Sequence, residues 1–148
     1  MRTPNYLKAL GLLLLVCAVL AGPALAYRRC MLCGMDVDKS ETAFYAKMKN
    51  GKMTPLCSMQ CLVMLEMNAK EKPVSVRTEI YPTSRSINAE KAFYLCESRQ
   101  VPKGSMVPYI LAFASREKAE KFQEKAGGRI LNFDEAMEFV KQSMPKNR

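Results

Sequence analysis

An α+β fold, made of two tandem ββαβ units followed by a C-terminal helix, is predicted for this chain of 148 residues, and three features carry the expectation. Asn50-Gly51 between two β-prone segments is the strongest short hairpin signal a sequence offers. Leu56-Cys57-Ser58 and Phe113-Ala114-Ser115 each mark a strand running into a helix with serine at the cap. Asn132 followed by Glu135 spells a capping box ahead of a last apolar helical face. The length suits one domain with a real core.

Taken in order, the chain begins with basic Arg2 and Lys8, an unbroken apolar run over 9–20 and the small-x-small tripeptide Ala24-Leu25-Ala26. This is the pattern of a cleaved export signal over 1–26, leaving a domain over 27–148. The apolar run is short of the roughly 20 residues of a membrane span. Val16, not a small residue, precedes Cys17, so no lipid anchor and no stable membrane insertion are expected. The exported domain is expected to be soluble in the periplasm or another extracytoplasmic space.

Strands are predicted over 42–49 and 52–57, and a two-residue turn at Asn50-Gly51 sets Met48 opposite Met53, Ala46 opposite Pro55 and Phe44 opposite Cys57. Those six side chains then share one face. Ser58 caps a helix over 59–68 that presents Cys61, Leu62, Met64 and Leu65. The second half repeats the plan, with strands over 74–78, 92–96 and 109–114 and a helix over 115–126 ended by Gly127-Gly128. Phe44-Tyr45 answers Phe93-Tyr94, and Leu65 answers Phe122, as expected of an internal duplication that keeps the cysteine pairs in one copy. A strand over 129–131 leads to a last helix carrying Phe133, Ala136, Met137 and Val140 on one face.

Composition narrows the chemistry. The chain has six Cys, eleven Met and no His, which excludes Ser-His-Asp and Cys-His catalysis and every imidazole-ligated metal site. Beyond the signal, Cys30-x2-Cys33 and Cys57-x3-Cys61 form two close pairs while Cys96 stands alone in an apolar strand, where it reads as a buried, inert thiol. Two such pairs point to a shared site, open at this level to two disulfides, a four-cysteine metal site or a partly used soft-metal site. Cys57 and Cys61 fall at a helix N-terminus, whose dipole favours thiolates. The net charge of +9 comes from lysines spread along the chain; with export, this indicates a solvated surface, a weak preference for acidic partners and no nucleic acid.

The ordered set Cys30-Met31-Leu32-Cys33-Gly34-Met35, Leu56-Cys57-Ser58-Met59-Gln60-Cys61, Met106 ahead of Ala112-Phe113-Ala114-Ser115, Gly127-Gly128 and Phe133-Asp134-Glu135 resembles the NosL family. Those are extracytoplasmic copper-binding accessory proteins whose named members serve maturation of nitrous oxide reductase. The stretch from Cys33 to Cys61 also resembles TRASH/YHS heavy-metal-binding modules. The resemblance implies the two-unit ββαβ fold, metal handling, and a ligand set of Cys30, Cys33, Met35, Cys57, Cys61 and Met106, with a client copper enzyme or a membrane copper exporter as partner.

Physical chemistry points the same way. Cu(I) is soft and takes thiolate and thioether donors, whereas Zn(II), the alternative ion, is satisfied by four thiolates. Met35 lies close to Cys33, and Met106 sits in a Pro/Gly-flanked loop with no packing reason to be there. Met64 and Met67 read as core filler, and Met48 with Met53, about 13 Å from Cys57 at roughly 3.3 Å per residue, as a packed pair. The expectation is a Cu(I) metallochaperone and not an enzyme. Its rivals are a thiol–disulfide oxidoreductase using Cys30 and Cys33, and a structural four-cysteine zinc domain or disulfide-stapled interaction module.

Overall fold

The computed structural model describes residues 28–145, so the export signal expected over 1–26 lies outside the described residues. Two antiparallel sheets form the body. The first has the order β2-β1-β3-β4, from β1 (Phe44–Lys47), β2 (Met53–Leu56), β3 (Ser75–Ile80) and β4 (Arg85–Asn88). The second has the order β6-β5-β7, from β5 (Phe93–Cys96), β6 (Ile110–Phe113) and β7 (Arg129–Leu131). Helix α1 (Met59–Asn68) follows β2, α2 (Arg116–Ala126) follows β6, and α3 (Phe133–Ser143) closes the chain. In each unit the first strand pairs with the second and with the strand after the helix, consistent with tandem ββα units. Phe44 faces Leu56 and Phe93 faces Phe113, as the alignment of the two corners requires.

The hairpin register differs by one residue from the expected one. The pairs are Phe44 with Leu56, Ala46 with Thr54 and Lys47 with Met53. The loop holds three residues, Lys49, Asn50 and Gly51, closed by Met48 N–H to the Lys52 carbonyl (2.9 Å) and Gly51 N–H to the Met48 carbonyl (2.9 Å). Gly51 takes a left-handed φ of +80°, and the Asn50 side chain accepts the Lys52 N–H at 3.0 Å, so the local chemistry suits a turn followed by a left-handed glycine. A slip of one residue exchanges the faces of a strand. Phe44, Ala46, Thr54 and Leu56 are buried, while Tyr45, Lys47, Met53 and Pro55 take the outer face; Met48 and Met53 therefore are not a cross-strand pair. Burial of Leu56 contributes about 1.5–3 kcal/mol of apolar transfer.

Strand β4 was not anticipated. Its sequence, Arg85-Ser86-Ile87-Asn88, is mostly polar and sits at a sheet edge, so it carries no alternating signal. The other departures are shifts of one or two residues at strand ends.

The main core lies where the two sheets and α3 meet. Phe44 stacks on Tyr94 with centroids 6.3 Å apart, Phe133 tilts against Tyr94 at 6.0 Å, and the buried Tyr94 hydroxyl donates to the Ala89 carbonyl at 2.7 Å. Ala136 and Val140 of α3 join them, and the predicted capping box on Asn132 and Glu135 is formed. Strands β5 and β6 are covered on both faces, because Leu95, Leu111 and Phe113 form a second cluster with Ala119 and Phe122 of α2. This explains their continuous apolar sequences, Phe-Tyr-Leu-Cys and Ile-Leu-Ala-Phe.

Gly127 and Gly128 end α2 with positive φ of +68° and +92°. A Cβ on Gly127 would meet nothing within 4 Å, whereas one on Gly128 would lie 2.3 Å from the Cys96 carbonyl oxygen and 2.9 Å from the Ser98 nitrogen. Gly127→Ala is therefore expected to cost about 1–3 kcal/mol, because φ of +68° with ψ of −163° is open essentially to glycine alone, and Gly128→Ala more than that, because backbone must move as well. Urea midpoints of the two variants measure the difference, and equal midpoints would contradict it.

Candidate metal centre

Three short segments build the site. The first is the tight turn that carries Cys30 and Cys33. Its stem is held by an antiparallel backbone β-bridge between Arg29 and Asp36, in which Val37 N–H bonds to the Arg28 carbonyl (2.9 Å), its tip by Cys30 N–H to the Met35 carbonyl (2.7 Å) and Gly34 N–H to the Cys30 carbonyl (2.9 Å). Gly34 has the left-handed φ of +74° that the tip needs. The turn is docked on the hairpin through Met31 N–H to the Pro55 carbonyl at 3.1 Å.

The second segment is the corner from β2 into α1. Cys57 is its pivot: its carbonyl accepts the hydroxyls of Ser40 (2.6 Å) and Thr42 (2.9 Å), both buried. Ser58 occupies the N-cap with extended backbone, as expected, yet its hydroxyl makes no capping bond and lies instead 3.9 Å from the Cys57 sulfur. The start of α1 thus keeps its N–H groups without a side-chain cap, which leaves local positive potential beside Cys57 and Cys61.

The third segment is the loop between β5 and β6 that carries Met106. It is tied to residues 39–41 by Glu41 N–H to the Lys103 carbonyl (3.0 Å) and Lys103 N–H to the Glu41 carboxylate (2.9 Å). Gly104 permits this closeness, since a Cβ there would stand 2.8 Å from the Lys39 carbonyl oxygen.

These segments bring the predicted residues together. The sulfurs of Cys30, Cys33, Cys57 and Cys61 all lie within 4.8 Å of one another. Cys33 is 3.4 Å from Cys57 and 3.7 Å from Cys61, and Cys57 is 3.7 Å from Cys61. The Met35 sulfur stands 4.0 Å from that of Cys57 and the Met106 sulfur 3.7 Å from that of Cys61. With metal–sulfur bonds of about 2.3 Å, sulfurs sit about 3.8 Å apart in a tetrahedral site and about 4.0 Å in a trigonal one. Three or four of these sulfurs therefore fit one soft ion with little movement. All five thiols of the described residues are free.

Exposure and protonation are uneven. Cys30, Cys57 and Cys61 are buried, whereas Cys33 is exposed. Cys30 is held far below the ordinary thiol range because the Cys57 and Cys61 thiols donate to its sulfur. Donating to Cys30 in turn pushes Cys57 up to about 12 and raises Cys61, and burial adds to both. The cluster thus holds its first negative charge on Cys30 and keeps protons on Cys57 and Cys61. Cys96 stands outside the four-thiol group; burial pushes its thiol up to about 12, in line with an inert core residue.

Sequence reasoning missed the Ser40 and Thr42 clamps, for which no local signal exists, and the close approach at Gly104, for which a glycine beside Met106 was the available hint.

A family model described as NosL matches residues 25–140. Among solved structures, the crystal structure of the copper chaperone NosL from Shewanella denitrificans is similar, with a TM-score of 0.63 and 24% identity over 78% of this chain and 93% of that one. No curated protein matches the chain.

Because Gly104 lets the Met106 loop touch residues 39–40, Gly104→Ala is expected to move the Met106 sulfur away from Cys61 while leaving the fold intact. The methyl resonance of Met106 in the reduced protein should shift, with those of Met137 and Met144 in place. An unmoved Met106 signal would count against this packing.

Proposed function

This chain belongs to the NosL family, and on that premise, with a copper chaperone of that name among similar structures, we propose that it is not an enzyme but an exported Cu(I) metallochaperone that hands copper to an extracytoplasmic copper enzyme such as nitrous oxide reductase. The observation that carries the reading is a cluster of four thiols with one thioether beside Cys57 and another beside Cys61, in a chain with no imidazole. Thioethers separate the candidate ions: Zn(II) takes thiolate, imidazole and carboxylate, while Cu(I) also takes methionine sulfur. Cys30, Cys33, Met35, Cys57, Cys61 and Met106 are the proposed ligands.

Transfer by ligand exchange needs a site that holds its ion yet opens on one side. Cys33 supplies that side, being the one exposed thiol of the four. An incoming donor from a client attacks the ion there while the buried thiolates still hold it, so the ion is never released to water. Export is inferred from the signal pattern ahead of Tyr27, and agrees with a binding site whose thioethers do not pair off under oxidising conditions. The oxidoreductase alternative is disfavoured because Cys30 and Cys33 sit on a tight turn with Cys30 buried, where a redox pair would stand at a helix N-terminus with its nucleophile accessible.

Anaerobic titration of the reduced protein with Cu(I) against a chelator of known strength tests the proposal. Tight uptake is expected, lost by at least about tenfold in Cys57→Ser and in Cys61→Ser, since each removes a thiolate from a soft-ion site. Zn(II) bound more tightly than Cu(I) under the same competition, or thiols that are oxidised and silent to metal, would sink it.

Protonation adds a second expectation. Cys57 and Cys61 carry protons at neutral pH, Cys57 up to about 12, and binding must displace them. Raising the pH from 6 to 8 should therefore strengthen apparent Cu(I) affinity, by about tenfold per pH unit for each proton displaced. Chelator competition at several pH values measures the slope, and a flat profile would contradict displacement of protons from these thiols on binding.

A further inference from the structure

We propose that Met31 and Met53 form an outer, thioether-only Cu(I) site that feeds the thiol cluster through Cys33, an inference that rests on the copper reading above. Both side chains are large, apolar and open to solvent, Met31 at 53% and Met53 at 46% exposure.

Backbone geometry brings them to one edge. Met48 N–H bonds to the Lys52 carbonyl, and hydrogen-bonded pairs recur at every second residue of an antiparallel ladder. The peptide groups of Met53 and Pro55 therefore point away from β1, off the outer edge of the sheet, which β2 forms. Proline suits that edge because it has no N–H to leave unpaired. The freed Pro55 carbonyl takes the N–H of Met31 at 3.1 Å, seating the cysteine turn on the same edge. Met53 lies two residues before Pro55, about 6.6 Å away at 3.3 Å per residue. Met31 sits one strand spacing, about 4.8 Å, to the side of Pro55, and a methionine sulfur on three rotatable bonds sweeps about 4 Å from its Cα, so side chains turned toward each other bring the two sulfurs to one ion. Cys33, the exposed thiol of the cluster, follows Met31 by two residues on the same turn.

Two neutral thioethers hold Cu(I) weakly, as an outer site should. In the inward step copper forms bonds to Cys33 and then to the Cys30 thiolate as its bonds to Met31 and Met53 break in turn. The Cys33 thiol proton leaves to solvent, and copper remains Cu(I) throughout. The gain is kinetic, because an ion held beside Cys33 has a high effective concentration at the cluster.

The test is an anaerobic titration of the reduced protein, its methionine methyl groups isotopically labelled, with Ag(I) as a redox-inert probe of Cu(I) sites. The first equivalent should move the Met35 and Met106 methyl resonances, and further Ag(I) should move those of Met31 and Met53 together. The double variant Met31→Leu/Met53→Leu should load from a chelated Cu(I) donor about tenfold more slowly, with the final affinity of the cluster unchanged, since only the local supply of ion is lost. Met31 and Met53 methyls unmoved by excess Ag(I), or loading of the double variant at the wild-type rate, would overturn the proposal. Movement of Met31 and Met53 with Met35 and Met106 still would uphold the outer site and contradict the thioether ligands assigned to the inner one.

Discussion

The Cys57 carbonyl, clamped at 2.6 Å by the Ser40 hydroxyl and at 2.9 Å by that of Thr42, is the contact on which the arrangement of sulfurs depends. It ties the segment leaving the cysteine turn to the corner that leads from β2 into α1. Both donors are buried, so loss of either hydroxyl removes one buried hydrogen bond, worth about 0.5–1.5 kcal/mol. The same segment, over 39–41, receives the loop that carries Met106. One buried clamp thus sets the relative positions of all three pieces of the site, and the sulfurs converge because their backbones have no other place to go.

Around that fixed backbone the electrostatics are arranged for a cation. Four thiols in contact cannot all ionise in the absence of an ion, because like charges that close disfavour each other. The cluster resolves this by placing one thiolate on Cys30 and hydrogen-bonding the neighbouring thiols to it. A soft cation replaces the shared protons. Exposure of Cys33 alone among the four gives the cluster a direction, with a closed floor and one open side.

Comparison of the two units shows what the site costs the fold. At the second corner, Ala114 stands where the first has Cys57, and Ser115 caps α2 by accepting the Lys118 N–H at 3.4 Å. At the first corner, Ser58 holds the same backbone position but its hydroxyl turns to the Cys57 sulfur. The capping bond, ordinarily about 1 kcal/mol, is absent at the corner that carries the cysteines. The second unit contributes Met106 and a doubly covered sheet that supports the first.

Much of this was legible locally. The helix over 59–68, the Gly127-Gly128 stop, the 129–131 strand and the Asn132–Glu135 box follow from cap chemistry and periodicity that act within a few residues. The cysteine pairs and the absence of His narrowed the chemistry to sulfur. The hairpin register was not legible, because Asn50-Gly51 suits a two- or a three-residue loop. Burial of Leu56 under Phe44 selects the latter, and that burial belongs to the whole core. β4 was hidden because a polar edge strand owes its existence to the partner it pairs with. Sequence by itself determined which residues could bind a soft metal. Tertiary structure decided that Met35 and Met106 stand beside the thiols, that Cys33 alone faces solvent and that Met53 turns outward, because distances between segments far apart in the chain are set by packing and buried hydrogen bonds that no local pattern encodes.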